Sequence, residues 1–202
     1  MNTQTRRITL QGAAGAIEAL VDEPATAAGG GVQGVAVIAH PHPLFGGTMD
    51  NKVVQTLARA FVQCGWGAVR FNFRGVGASA GVHDAGQGEL DDLLAVVRQV
   101  APQGPLALAG FSFGAFVTSH ALAALWPQRE LQHAVLVGTA ASRFQVAPVP
   151  PEAHLRTLVA GVLQARSLWQ QDSAGSAARM APRLQLSPAA VVQAFSLVQL
   201  PD

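Results

Sequence analysis

The residue of this sequence best suited to do chemistry is Ser112, at the centre of residues 110–114, Gly-Phe-Ser-Phe-Gly. The apolar run 105–109 before it predicts a buried strand, and the residues after it predict a helix. A Gly-x-Ser-x-Gly between a strand and a helix is the pattern of a nucleophile elbow, a tight turn that exposes the serine hydroxyl. The flanking glycines avoid collisions that larger side chains would make there. Ser112 is therefore the candidate nucleophile for acyl chemistry.

A second segment, residues 40–52, could supply the electrostatic partner of such a nucleophile. Its sequence is His-Pro-His-Pro-Leu-Phe-Gly-Gly-Thr-Met-Asp-Asn-Lys, and it follows an apolar run that predicts a central parallel strand. Acyl transfer needs N–H donors aimed at the developing oxyanion, and the residue after the nucleophile, Phe113, supplies one. The two prolines of the loop have no N–H, so His42 and Leu44 are the local candidates for the second donor. We predict His42, because it lies two residues beyond the histidine that ends the strand.

Two patterns offer alternatives to acyl chemistry. The His-x-His spacing of His40 and His42 occurs in metal sites, but no cluster of cysteines or carboxylates accompanies it, so no metal is predicted. Residues 71–81 are similar to a dinucleotide fingerprint, yet more loop follows them instead of a helix that could hold a pyrophosphate. We interpret this segment as loop architecture and predict that His83 and Asp84 are solvated, with a role beside the site as the lesser alternative. No cofactor is expected.

Composition sets the class of protein. The chain has 202 residues, half of them hydrophobic, and a formal net charge of +1, which fits an ordered protein with a sizeable core. The sequence has no block of basic residues that would predict binding to nucleic acid. It also has no apolar run long enough to cross a membrane. The N-terminus leads into no hydrophobic signal region, so a cytoplasmic location is expected. The single cysteine, Cys64, is predicted to be a buried structural thiol.

The order of predicted elements alternates between strands and helices after an antiparallel pair of strands at the N-terminus. Such alternation predicts an α/β fold with a mostly parallel sheet and helices on both faces. We see no internal repeat and predict one domain over residues 1–202. The predicted strands lie at 8–10, 17–21, 35–39, 67–73, 106–110, 134–138 and 156–162, and the predicted helices lie at 50–64, from 89 onward, and at 113–126.

Three segments, residues 40–52, 71–81 and 110–114, together resemble an α/β-hydrolase. The resemblance is closest to a lidless group of small hydrolases related in style to dienelactone hydrolases. Residues 137–144, Val-Gly-Thr-Ala-Ala-Ser-Arg-Phe, also resemble the sixth-strand region of that group. The resemblance covers residues 1–160 and implies an α/β-hydrolase fold without a lid domain. It also implies a serine esterase that uses Ser, Asp and His in that chain order on a small-molecule ester, with no cofactor.

The sequence departs from this family after about residue 160. The family's matching strand runs into a His-Gly-Glu-x-Asp stretch, whereas residues 160–164 here are Ala-Gly-Val-Leu-Gln. A segment at 196–202 looks like the family's last strand, yet no histidine follows His154, and the acids after Glu152 are Asp172 and Asp202. The triad acid and base are therefore not identifiable, and impaired activity is expected.

Three hypotheses account for this departure. The C-terminus is altered by truncation or a change of reading frame, which we favour because the pattern is lost abruptly and residues 163–187 lack periodicity. Alternatively, the chain is a catalytically inactive pseudo-hydrolase that acts as a binding domain. In the third hypothesis, His42, His83 or His154 serves as an unusual base.

Overall fold

The structure, a computed structural model, describes residues 5–24, 31–126, 128–129, 131–139, 143–148 and 156–160. Within these ranges it contains seven strands, three α-helices and one 3-10 turn. In chain order the strands and α-helices are β1 (Thr5–Gly12), β2 (Gly15–Asp22), β3 (Val35–Ala39), α1 (Lys52–Gln63), β4 (Gly67–Phe71), α2 (Gln87–Val100), β5 (Leu106–Phe111), α3 (Phe113–Leu125), β6 (Leu131–Val137) and β7 (Arg156–Ala160).

The described strands form one sheet in the order β1-β2-β4-β3-β5-β6-β7. β2 pairs antiparallel with β1 and β4, and the remaining neighbours are parallel. The chain runs from β3 to β4 on one side and then to β5 on the other, so the strand order reverses between β3 and β5. In open α/β sheets, ligands bind outside the carboxyl ends of the strands at such a reversal. The loop after β3 and the turn after β5 are therefore the expected place for a site.

Helices cover both faces of the sheet, which confirms the predicted architecture. The apolar side of α1 packs on one face, where Val54 and Leu57 belong to one buried cluster. α2 and α3 pack on the other face, where Leu93 and Leu122 belong to a second cluster. β3 lies between the two clusters and is apolar at every position, as expected for a strand that is covered on both sides.

Some element boundaries differ from the predictions. β4 ends at Phe71 instead of residue 73. α1 begins at Lys52, after the side chain of Asn51 accepts a hydrogen bond from the amide of Val53 at 2.9 Å, and α2 begins at Gln87, two residues before the predicted start.

The prediction of a buried Cys64 was wrong. Cys64 is exposed at the C-terminal end of α1. Apolar residue type was its only basis, and the position at the end of a surface helix decides the exposure instead.

Several predictions fall on residues outside the described ranges. These are the strand-like segment at 196–202, the aperiodic stretch 163–187, and the side chains of His154, Asp172 and Asp202. In the portion that is described, no helix has the length and apolar character needed to span a bilayer.

Candidate active site

Ser112 lies at the turn between β5 and α3, with a backbone conformation that non-glycine residues rarely adopt. Its φ is 57° and its ψ is −114°. The backbone holds this turn in place, because the amide of Ser112 donates to the carbonyl of Val137 in β6 at 2.8 Å. The Ser112 carbonyl accepts hydrogen bonds from the amides of Ala115 and Phe116 in the first turn of α3. The structure therefore has the strand, strained turn and helix that the sequence predicted around Ser112.

The two glycines of the motif are required by close backbone contacts. A Cβ on Gly110 would lie 2.6 Å from the amide nitrogen of Ala115 in α3. A Cβ on Gly114 would lie 2.5 Å from the carbonyl oxygens of Ala39 and His40, at the end of β3. Glycine at 114 thus lets the N-terminus of α3 approach the loop that follows β3, which brings the turn and this loop together.

His40 ends β3 and is fully buried. Its Nε2 accepts a hydrogen bond from the amide of Phe73 at 3.0 Å, and its Nδ1 lies 2.6 Å from the carbonyl oxygen of Pro41. A neutral ring with its proton on Nδ1 satisfies both contacts. Burial lowers the pKa of His40 to about 4, against the raising effects of the Pro41 carbonyl and Glu89. His40 therefore joins two loops as a neutral imidazole, and neither ring nitrogen is left for a metal.

His42 lies beside the elbow. Its ring centroid is 4.8 Å from that of Phe113, and its Nδ1 accepts a hydrogen bond from the amide of Leu44 at 3.2 Å. The His42 carbonyl accepts from the amides of Phe45 and Gly47, which closes the 3-10 turn Pro43–Phe45. Burial lowers the pKa of His42, and the charge of His83 lowers it further, while Glu89 raises it.

An apolar rim surrounds this position. We use this name for Leu44, Phe45 and Val82, whose side chains are 69%, 79% and 77% exposed. The Phe45 ring lies 4.7 Å from the His42 ring, and Val82 is next to His83 in the chain. The rim therefore borders the two histidines beside the elbow.

The segment after β4 takes part in a buried polar network. The side-chain oxygen of Asn72 accepts from the amide of Met49 at 2.9 Å, and its Nδ2 donates to Glu18 of β2 at the same distance. Glu18 also accepts from the amide of Ala78 at 3.0 Å and pairs with Arg7. The interpretation of this segment as loop architecture agrees with these contacts.

The prediction that His83 is solvated was wrong. The His83 side chain is 16% exposed, and its Nδ1 lies 2.7 Å from Oε1 of Glu89, which is fully buried. Its ring lies 4.8 Å from that of His42 and 5.4 Å from that of Phe113. The contact with Glu89 has the distance of an ion pair, although its angle does not make a hydrogen bond. The sequence pattern did not show this contact, because it depends on how the residues between His83 and α2 turn back toward Glu89.

Asp84 is exposed as predicted, but it has partners. Its carboxylate accepts from the amide of Gly88 at 3.1 Å and lies 3.9 Å from Arg74. Arg74 in turn forms a two-bond pair with the buried Asp92 of α2, at 3.0 and 2.9 Å, and this hydrogen bonding raises the pKa of Arg74. Both contacts hold the residues after β4 to the start of α2.

The structure thus brings Ser112, Phe113, His42 and His83 together and places His120 elsewhere, where its Nε2 contacts the carbonyl of Gln145 at 2.9 Å. In the ranges that the structure describes, no hydrogen bond joins the Ser112 hydroxyl to a histidine, and no group of three His, Cys, Asp or Glu side chains could hold a metal ion.

Comparisons with known proteins place these features in context. A family model described as Serine aminopeptidase, S33 matches residues 33–192. A crystal structure of a Xanthomonas campestris protein, described as an α/β serine hydrolase without lid, is 40% identical, with a TM-score of 0.67 over 85% of this chain and 80% of that one. An α/β serine hydrolase homologue from Coxiella burnetii is 33% identical, with a TM-score of 0.67 over 85% and 83% of the two chains.

A curated relative is matched over a shorter stretch. An uncharacterized protein of Rickettsia prowazekii is 42% identical over 87 residues, which are 41% of this chain and 37% of that protein. The match therefore spans little more than a third of the relative's length.

Proposed function

The chain belongs to the serine aminopeptidase S33 family of α/β serine hydrolases, and from this premise we propose that it hydrolyses carboxylic esters through an acyl-enzyme on Ser112. The observation that carries the proposal is the turn at Ser112, with φ of 57° between β5 and α3. Such a turn costs conformational energy and persists where it presents a side chain for function.

The proposed reaction starts with attack of the Ser112 hydroxyl oxygen on the ester carbonyl carbon. The carbonyl oxygen gains negative charge, and the amides of Phe113 and His42 donate hydrogen bonds to it. The amide of Phe113 suits this role because it lies in the first turn of α3, where N–H groups have no acceptor within the helix. Collapse of the intermediate expels the alcohol and leaves an acyl-serine, which water then hydrolyses to the free acid.

The hydrogen bonds of the loop after β3 favour His42 over Leu44 as the second donor. The amide of Leu44 already donates to Nδ1 of His42. The contact between the His42 and Phe113 rings supports a common position for the two proposed donors at the elbow.

The apolar rim supports a small-molecule ester with an apolar part. Leu44, Phe45 and Val82 are exposed apolar side chains that flank His42 and His83 in the chain, and the Phe45 ring contacts the His42 ring. Burial of an apolar group against such side chains contributes about 25 cal/mol per Å². We therefore propose that the apolar acyl or alcohol group of the substrate lies on the rim.

The proposal assigns no general base. Serine hydrolases from which the general base has been removed still accelerate the reaction roughly 10³–10⁴-fold over the rate in water, through the oxyanion donors and substrate binding. We accordingly expect slow turnover from the 202-residue chain.

A fluorophosphonate probe and a series of p-nitrophenyl esters test the proposal. We expect the probe to label the native protein and Ser119→Ala, a serine variant further along α3, but not Ser112→Ala. Ester hydrolysis should depend on Ser112 in the same way. A folded protein that resists the probe at every pH would overturn the proposal in favour of a binding domain. Hydrolysis of amino-acid p-nitroanilides without any ester hydrolysis would show that the substrate class is wrong.

A further inference from the structure

Glu89 is a buried carboxylate beside the candidate site, and the backbone holds it firmly. It accepts hydrogen bonds from the amides of Asp84 and Gly86 at 2.9 and 2.8 Å, and its side chain is fully buried. Buried carboxylates are stable only with partners that satisfy the charge. Both amides lie in the turn just before α2, so these two hydrogen bonds anchor the Glu89 carboxylate there.

His83 connects this anchored carboxylate to the elbow. Its Nδ1 is 2.7 Å from Oε1 of Glu89. The other side of the ring lies against His42 and Phe113, at centroid distances of 4.8 and 5.4 Å. His83 therefore contacts both residues whose amides are the proposed oxyanion donors.

We propose that His83, held by Glu89, is a positioning residue that keeps the loop of His42 against Phe113 and so sets the spacing of the two amides. This inference rests on the proposed function for its catalytic consequence. It does not make His83 a base, because its ring contacts the side chains of the donors and not the Ser112 hydroxyl.

The charges around His83 come from three directions. Glu89 approaches from α2, and His42 approaches from the loop after β3. Asp84, next in the chain, lies 3.9 Å from Arg74. From α3 the neighbour is the uncharged Phe113 ring. His83 thus lies between one buried negative group and one imidazole.

This arrangement predicts how His42 responds when His83 is removed. His42 accepts the Leu44 amide on Nδ1 only while that nitrogen is unprotonated. The charge of His83 and burial both lower the pKa of His42, and Glu89 opposes them. Loss of the His83 ring removes one lowering cause and opens His42 to water, so the pKa of His42 should rise. Protonation would then break the loop contact at a higher pH.

The test compares the native protein with His83→Ala, with His83→Asn, which keeps a polar side chain beside Glu89 but loses the ring, and with His120→Ala as the matched control. We expect His83→Ala to raise the NMR titration midpoint of His42 and to weaken the contact between the His42 and Phe113 rings. It should lower the labelling rate of Ser112 about 10-fold or more, a fraction of the roughly 10²–10³-fold effect of losing an oxyanion donor. The loss should fall on kcat and not on KM, and the acid limb of the pH profile should move to higher pH.

His83→Asn should lose the labelling rate nearly as much as His83→Ala does, because it has no ring to place against His42 and Phe113, and His120→Ala should behave like the native protein. An unchanged His42 midpoint, or an unchanged labelling rate in a folded His83→Ala, would overturn the inference. If the native protein is never labelled, the proposed function fails. The positioning role is then tested by the contact between the His42 and Phe113 rings alone. Loss of that contact in His83→Ala supports the role, and its persistence refutes it. If His83→Ala does not fold, His83→Asn, which keeps a polar side chain beside Glu89 but has no ring, replaces it with the same expected losses.

Discussion

Replacing Ser112 by glycine should make the protein more stable than replacing it by alanine, although both changes remove the proposed nucleophile. Ser112 has φ of 57° and ψ of −114°, and a non-glycine residue in such a region costs about 1–3 kcal/mol. Glycine removes this cost but loses about 0.5–1 kcal/mol through the freedom it gains in the unfolded chain. At the centres of these ranges, about 2 and 0.75 kcal/mol, the difference leaves Ser112→Gly more stable than Ser112→Ala by about 1 kcal/mol.

Urea unfolding of the two variants at pH 7 measures this difference directly. The matched control is Ala124→Gly at an exposed position of α3, where the same glycine should destabilise by up to about 1 kcal/mol. Equal stability of Ser112→Gly and Ser112→Ala, with unchanged dependence on urea, would refute the reasoning that the turn is strained.

Two further predictions concern the contacts that bring the loops together. The pKa of His40 in the folded protein is about 4, below its ordinary 6.5, so the unfolded chain binds more protons between these two pH values. The free energy of unfolding is therefore at its full value above pH 6.5. It falls by about 3 kcal/mol as the pH drops toward 4. Urea unfolding at pH 7 and 5 should show about 2 kcal/mol of this loss, and His40→Gln should flatten it; an equal slope in both proteins would contradict the prediction. Gly114→Ala would place a Cβ 2.5 Å from two carbonyl oxygens and should lower the free energy of unfolding by about 1–3 kcal/mol. The control Ala123→Ser, on the exposed side of α3, should change it little. A thermal unfolding midpoint of Gly114→Ala equal to that of the native protein would contradict the assigned backbone contact.

The local sequence pattern was enough to predict the strands that are buried along their whole length and the turn at Ser112. The apolar run 35–39 matches β3 residue for residue, and the strand predicted at 106–110 matches β5 with one residue added. The glycines around Ser112 predicted the close turn because few other backbones need two glycines at that spacing. These features depend on residues that are near in the chain, so the sequence carries their signal.

Features set by distant partners were not predictable in the same way. β4 stops at Phe71 because the next residues leave the sheet, where Asn72 bonds to Met49 and the amide of Phe73 bonds to His40. His83 is a different case, since its partner Glu89 is near in the chain, but the pattern did not show that the residues between them turn to bring the two side chains together. Glu89 itself predicted a helix start through its charge, but its burial became visible only in three dimensions.

The contacts of Glu18 change how the N-terminal hairpin should be regarded in protein engineering. Its carboxylate accepts hydrogen bonds from the side chain of Asn72 and from the amide of Ala78. The side-chain oxygen of Asn72 in turn accepts one from the amide of Met49, in the loop that follows β3. A graft that transplants the parallel strands and the elbow without β1 and β2 would leave these buried donors without an acceptor. The smallest portable unit of this site therefore includes an edge of the sheet that contributes no residue to the chemistry.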